Sequence, residues 1–288
     1  MMKCHFFLTA VVACSFMPVI AHAEDGSFDS NGVKIHYVTE GQGEAVVLIH
    51  GWMSDVTMWG RKLQPLEGFQ LIALDCRGHG KSDKPHDQAK YGAEMAGDVV
   101  RLLDHLKIKK AHLIGYSMGT FIAAKVAATH PDRVNSIIYG GQAPLIPGVH
   151  PAGSNEINVF AKAVDEGKGL GPYIIYVSPS DKPKPSLETA NALGKAMMFG
   201  KDEKALAAAG LSFKGLEVSL KGLRKCRAPV LFVYGEHDLS AASIEVVRKA
   251  LGPSEVKIVP GGTHFATLTK PEFGAAIVEF LRAHKEEN

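Results

Sequence analysis

Ala111-His112-Leu113-Ile114-Gly115-Tyr116-Ser117-Met118-Gly119-Thr120 is the stretch on which the fold turns. Ala111 to Gly115 is a short, mostly apolar run of the kind that suits a strand buried on both faces of a sheet, and Phe121 to Ala128, rich in small residues, reads as a helix. A serine between the two, with Gly115 and Gly119 on either side of it, implies a very sharp strand-to-helix turn. Side chains at the two glycines would collide as the chain folds back, and the strained turn lifts the Ser117 hydroxyl out of the sheet. The start of the following helix aims backbone N–H groups at developing negative charge, and the N–H of Met118 is the natural first donor.

Working outward, Val33 to Val38 alternates apolar and polar residues, as a strand with one wet face should. Ala45 to Ile49 and Phe69 to Leu74 are continuous apolar runs. Met95, Val99, Leu102, Leu103 and Leu106 recur at helical spacing between Tyr91 and Leu106. Val134 to Tyr139, Val230 to Tyr234 and Val256 to Val259 read as further strands, with helices at Ile244 to Leu251 and Phe273 to Leu281. Strands alternating with helices predict an α/β fold, a mostly parallel central sheet with helices on both faces. Gly41-Gln42-Gly43 precedes a strand instead of following one and lacks a third glycine, so it reads as a hairpin turn and not as a dinucleotide fingerprint.

Residues 145–225 break the rhythm. They hold no clear buried strand, are Pro-rich at Pro179 to Pro185, and are helix-prone at Leu187 to Met198 and Glu203 to Ala209. So long a structureless loop would be unusual, which predicts a small helical lid insertion between core segments 24–144 and 226–288. Its apolar residues Phe160, Tyr173, Ile174, Tyr176, Met197, Met198 and Phe199 suit a cover over an apolar acyl pocket, although ordinary helix packing would use most of them equally well.

A serine at neutral pH is a poor nucleophile and needs a base, and the base needs a partner that fixes its tautomer and stabilises its charged form. Asp238 lies just past the strand ending at Tyr234. His264 lies just past the one ending at Val259, in the Gly-rich turn Gly261-Gly262-Thr263-His264. Positions after parallel strands fall along one edge of the sheet, so Ser117, Asp238 and His264 can converge. The chain has 13 histidines, most of them necessarily bystanders, and position singles out His264. Glu236, two residues before Asp238, is a rival for the acid.

Elbow and residue order together resemble the α/β-hydrolase fold family, whose triad runs Ser, Asp or Glu, His along the chain. The resemblance covers about residues 26–285. His50-Gly51-Trp52 is similar to the family's HG motif, which implies that the N–H of Trp52 joins that of Met118 in an oxyanion hole. Asp75-Cys76-Arg77-Gly78-His79-Gly80-Lys81-Ser82 is similar to a structural turn of the family. The resemblance implies a serine hydrolase that cleaves a carboxylic ester or similar acyl substrate through an acyl-enzyme. A carbon–carbon bond hydrolase or lactonase with the same triad is a second expectation, and a non-catalytic ligand-binding relative a third. Haloalkane dehalogenases and epoxide hydrolases carry aspartate at the elbow, so Ser117 argues against both.

A formal charge of +2 with Lys and Arg scattered offers no footprint for nucleic acid. The expected partner is a small acyl substrate, with no cofactor and no metal, since His50, His79 and His237 form no ligand-spaced pair. Lys3, the apolar stretch Phe6 to Ile20 and Ala21-His22-Ala23 read as a signal peptide over residues 1–23, cleaved near Ala23 to release an exported protein, periplasmic or extracellular. That stretch is too short for a stable membrane span; lipid attachment at Cys14 is the alternative. Cys76 and Cys226 read as buried free thiols.

Overall fold

A computed structural model describes residues 24–60, 66–148, 156–178 and 183–286. The proposed signal peptide and Cys14 lie outside the described residues. An eight-stranded sheet carries the fold in the order β1-β2-β4-β3-β5-β6-β7-β8. The strands are β1 Glu24–Asp29, β2 Lys34–Gly41, β3 Glu44–Ile49, β4 Phe69–Leu74, β5 Ala111–Tyr116, β6 Val134–Gly140, β7 Val230–Gly235 and β8 Glu255–Val259. From β4 onward across the sheet all pairings are parallel, whereas β2 runs antiparallel to both β1 and β4.

The helices are α1 Ala93–His105, α2 Met118–Thr129, α3 Glu156–Glu166, α4 Gly171–Val177, α5 Leu187–Met197, α6 Glu203–Leu211, α7 Leu220–Leu223, α8 Ala241–Leu251 and α9 Pro271–Ala283. The run Ala45 to Ile49 becomes a strand buried on both faces, whereas β4 leaves Gln70 and Ala73 half-buried. In β3, Val47 and Ile49 join α1, α2 and α8 on one side, packing with Val99, Ile122 and Ile244. Val46 and Leu48 face the other side and pack with Phe273, Ile277 and Phe280 of α9. This period of two explains why no polar residue interrupts Ala45 to Ile49.

Two features at the N-terminal side differ from expectation. Strand β1 was not legible in Glu24-Asp25-Gly26-Ser27-Phe28-Asp29 because only Phe28 is buried there. The available signal was Asn31-Gly32, the pair that favours a two-residue hairpin turn with both φ angles positive. Those angles are 57° and 77°, and the N–H of Ser30 donates to the carbonyl of Val33 at 2.8 Å. Conversely, Gly41-Gln42-Gly43 is a turn but no hairpin, because β4 lies between the strands that it links. The turn passes against the start of β4 so closely that a Cβ on Gly43 would stand 2.1 Å from the carbonyl oxygen of Gly68.

The turn at Asp75 to Ser82 is structural, as expected. Asp75 accepts from the N–H groups of Val56 and Lys81, each at 2.8 Å. Arg77 reaches the other way and forms a two-pronged contact with Asp98 of α1, through Nε at 2.7 Å and Nη2 at 2.5 Å, with both side chains 1% exposed. Asp98→Ala strands the guanidinium without its carboxylate, and is expected to lower unfolding free energy by about 3–5 kcal/mol in a urea titration.

Between β6 and β7 the described residues of the insertion form α3 to α7. Phe160, Tyr173, Ile174, Met198 and Leu206 make a small core of their own, so most of the apolar residues anticipated for a pocket cover pack internally. Tyr176 and Phe199 are exposed. Cys76 is buried and Cys226 only half-buried, both as free thiols. Cys226 follows α7 at the edge of the packed layer, which leaves one side of it open.

Candidate functional site

Ser117 sits where β5 gives way to α2, with φ 54° and ψ −116°. A left-handed φ at a non-glycine residue costs about 1–3 kcal/mol and persists only where neighbours over-determine it. They do so here. Ser117 donates its N–H to the carbonyl of Gly140 at 2.9 Å, and its own carbonyl accepts from the N–H of Thr120 at 2.9 Å. The flanking glycines are required by space: a Cβ on Gly115 would stand 2.2 Å from the carbonyl oxygen of Gly119, and one on Gly119 would stand 2.0 Å from that of Ile49. Met118, first residue of α2, contributes an N–H with no partner inside the helix.

The other sequence-predicted residues gather at the same end of the sheet, past the C-terminal ends of β3, β7 and β8. Gly51 follows β3 so closely against the elbow that a Cβ on it would lie 3.3 Å from Cβ of Ser117. Trp52 is the next residue along the chain. Asp238 follows β7 with its side chain only 1% exposed, and its Oδ2 lies 3.1 Å from Nδ1 of His264, which follows β8. The second carboxylate oxygen, Oδ1, accepts from the N–H of Ser240 at 3.0 Å. A carboxylate held in this way accepts from Nδ1–H and leaves Nε2 as the unprotonated, reactive nitrogen.

Glu236 does another job. Its exposed carboxylate accepts from the N–H of Gly261 at 2.8 Å and braces the turn that carries His264. Tyr116 was missed as a member of the site. Its hydroxyl donates to the carbonyl of His264, and the two rings lie 5.5 Å apart. Burial first, and then the charge of Asp238, push the Tyr116 hydroxyl well above its ordinary value, so it remains a donor. The signal was its place between Gly115 and Ser117, where a buried side chain can reach a loop on the sheet edge.

His50 and His79 lie behind the site with ring centroids 5.1 Å apart. Burial holds His50 below its ordinary value, and burial followed by the nearness of His50 pushes His79 down to about 3. Both are neutral in the folded protein. An unfolded chain takes up a proton at His79 near its ordinary 6.5, so stability is full above that pH and is lost as pH falls toward 3. By pH 4 the loss from His79 is about 3 kcal/mol, or roughly 6–12 °C in Tm. His79→Gln should have a visibly smaller drop in Tm between pH 7 and 4 than the wild type, and equal drops would refute a neutral His79.

The sheet order, with a strand-turn-helix elbow at its centre, is that of the α/β hydrolases. Residues 44–164 match the model of the alpha/beta hydrolase fold family, and the chain belongs to that family. A Bacillus subtilis (strain 168) protein provisionally named 2-succinyl-6-hydroxy-2,4-cyclohexadiene-1-carboxylate synthase is 28% identical over 266 residues, which cover 88% of this chain and 96% of that protein. An epoxide hydrolase of Caballeronia sordidicola is 32% identical over 142 residues, but these cover 48% of this chain and only 41% of the enzyme. The crystal structure of the enol-lactonase from Burkholderia xenovorans LB400 superposes with a TM-score of 0.72 at 25% identity, covering 89% of this chain and all of that one.

Proposed function

We propose that this hydrolase is a serine esterase that acts through an acyl-enzyme, with Ser117 as nucleophile, His264 as general base and Asp238 as the acid that orients it. The observation that carries the reading is the buried Asp238 carboxylate 3.1 Å from Nδ1 of His264, at the sheet end where Ser117 is held in its strained turn. Ser117 Oγ attacks the acyl carbonyl while Nε2 of His264 takes its proton, and Asp238 stabilises the imidazolium. The N–H groups of Trp52 and Met118 receive the oxyanion, each worth roughly 3–4 kcal/mol in the transition state. His264 then gives its proton to the leaving group, and a water deprotonated by the same nitrogen releases the acid.

A serine at the elbow argues against the aspartyl-ester route of epoxide hydrolases, despite the partial likeness to one of them. Residues 145–225 serve as the cover of the acyl pocket. The signal read in residues 1–23 supports export, which N-terminal sequencing of the secreted protein checks. A fluorophosphonate probe should label the purified protein at Ser117, and folded protein that stays unlabelled would refute the hydrolase reading. Aryl esters of increasing acyl length, run beside a lactone and a vinylogous diketone, then separate ester, lactone and carbon–carbon cleavage.

A further inference from the structure

The carbonyl of Gly51 is the meeting point of two donors. His50, fully buried, lies with Nδ1 2.8 Å from that oxygen. The N–H of Ser54 donates to it at 3.2 Å. The tautomer of His50 is fixed by its other nitrogen: the N–H of Cys76 donates to Nε2 at 3.0 Å, so Nε2 is the acceptor and Nδ1 carries the proton. The Gly51–Trp52 peptide is planar and trans, which points the N–H of Trp52 opposite to the carbonyl that His50 holds. Two hydrogen bonds on the carbonyl also polarise the unit and strengthen its N–H as a donor.

The same residue is held from the far side. Nε1 of Trp52 donates to the carbonyl of Leu206 in α6 at 3.0 Å. Its ring meets Phe160 of α3 edge-on at 5.1 Å and Tyr173 of α4 at 6.5 Å. Between these anchors the chain makes a four-residue turn from Gly51 to Ser54 in which Met53 takes φ 62°, a second non-glycine residue with positive φ, two positions after Gly51. Strain at both the elbow and this turn marks a backbone held to a set geometry.

We infer that the side chains of His50 and Trp52 are positioning residues for the oxyanion donor, clamping the Gly51–Trp52 peptide from the sheet and from the helical insertion. The inference rests on the proposed esterase reading. It makes the seating of the insertion part of transition-state stabilisation, because α6 reaches the oxyanion hole through one indole hydrogen bond.

The test compares Trp52→Phe, His50→Leu and His50→Asn with the wild type in the full chain, on an aryl ester and with an aryl trifluoromethyl ketone, whose hemiketal oxyanion occupies the same hole. Trp52→Phe keeps the ring and loses the bond to Leu206; kcat should fall about 10-fold with KM within twofold, and ketone affinity should fall by the same factor. His50→Leu should lower kcat about 100-fold. His50→Asn places an amide donor where Nδ1 stood and should hold kcat to within about 5-fold, although both His50 variants leave the N–H of Cys76 unpaired and lower Tm alike. Unchanged kcat with a raised KM in Trp52→Phe would make the indole a pocket wall and overturn the inference. Equal kcat losses in the two His50 variants would reduce His50 to a packing role and overturn its part. Should His50→Leu not fold, Trp52→Phe and the ketone decide. Labelled wild type with variants at full kcat refutes this inference alone; unlabelled wild type refutes the esterase reading and the inference with it.

Discussion

Ser117→Ala is expected to lower turnover of an aryl ester by about 10⁶ and to abolish fluorophosphonate labelling, while the protein stays folded. The loss is large because the remaining parts have nothing to activate: His264 and Asp238 move a proton that only the serine hydroxyl supplies, and the oxyanion donors stabilise an adduct that no longer forms. His264→Ala should cost about as much, and the double variant little more, since the members act as a unit. Stability separates this outcome from misfolding. Alanine suffers the same strain as serine at φ 54°, so Tm should stay within a few degrees of the wild type. Ser117→Gly removes that strain and should be equally inactive yet more stable by about 1 kcal/mol. A serine whose replacement destroys activity while glycine raises stability is held in place for chemistry. Activity persisting in Ser117→Ala would move the nucleophile elsewhere and end the triad reading.

How much of this could be read without coordinates depended on burial. Strands wetted on neither face, such as Ala45 to Ile49, announce themselves because the sheet interior takes a polar residue only where it finds a partner, as His112 does in Ser136 at 2.7 Å. Strand β1 buries Phe28 and little else, so its pairing was written only in the Asn31-Gly32 turn. The turn at Gly41 to Gly43 was mistaken for a hairpin because local chemistry specifies a reversal but not which strand slips between its arms. That β4 does so is settled by Phe69 and Leu71, which bury beneath α9 far along the chain. Ser117, Asp238 and His264 were legible because topology alone places positions after parallel strands together. The contacts of Tyr116, His50 and the Trp52 indole were not read from sequence: they run to the carbonyls of His264, Gly51 and Leu206, and no spacing encodes which carbonyl a ring nitrogen or hydroxyl will meet.

Asp238→Asn is expected to lower kcat about 10⁴-fold without unfolding the chain. The amide is isosteric with the carboxylate, and its oxygen can keep the bond from the N–H of Ser240 seen at 3.0 Å. Toward His264, however, an –NH₂ replaces Oδ2 at 3.1 Å from Nδ1. A donor there demands an unprotonated Nδ1, which moves the ring proton to Nε2, the nitrogen that must accept from Ser117. The base is then present in the wrong tautomer, and the imidazolium that it would become has lost its counter-charge. Glu236→Gln is the matched control: its carboxylate braces Gly261 from the surface, so kcat should stay within about 3-fold of the wild type. If Glu236→Gln is silenced while Asp238→Asn works, the acid is Glu236 and the loop carrying it must rearrange around His264. If instead Asp238→Asn loses its 10⁴-fold with Tm intact, the carboxylate acts on the tautomer of His264 and not on the packing of the loop.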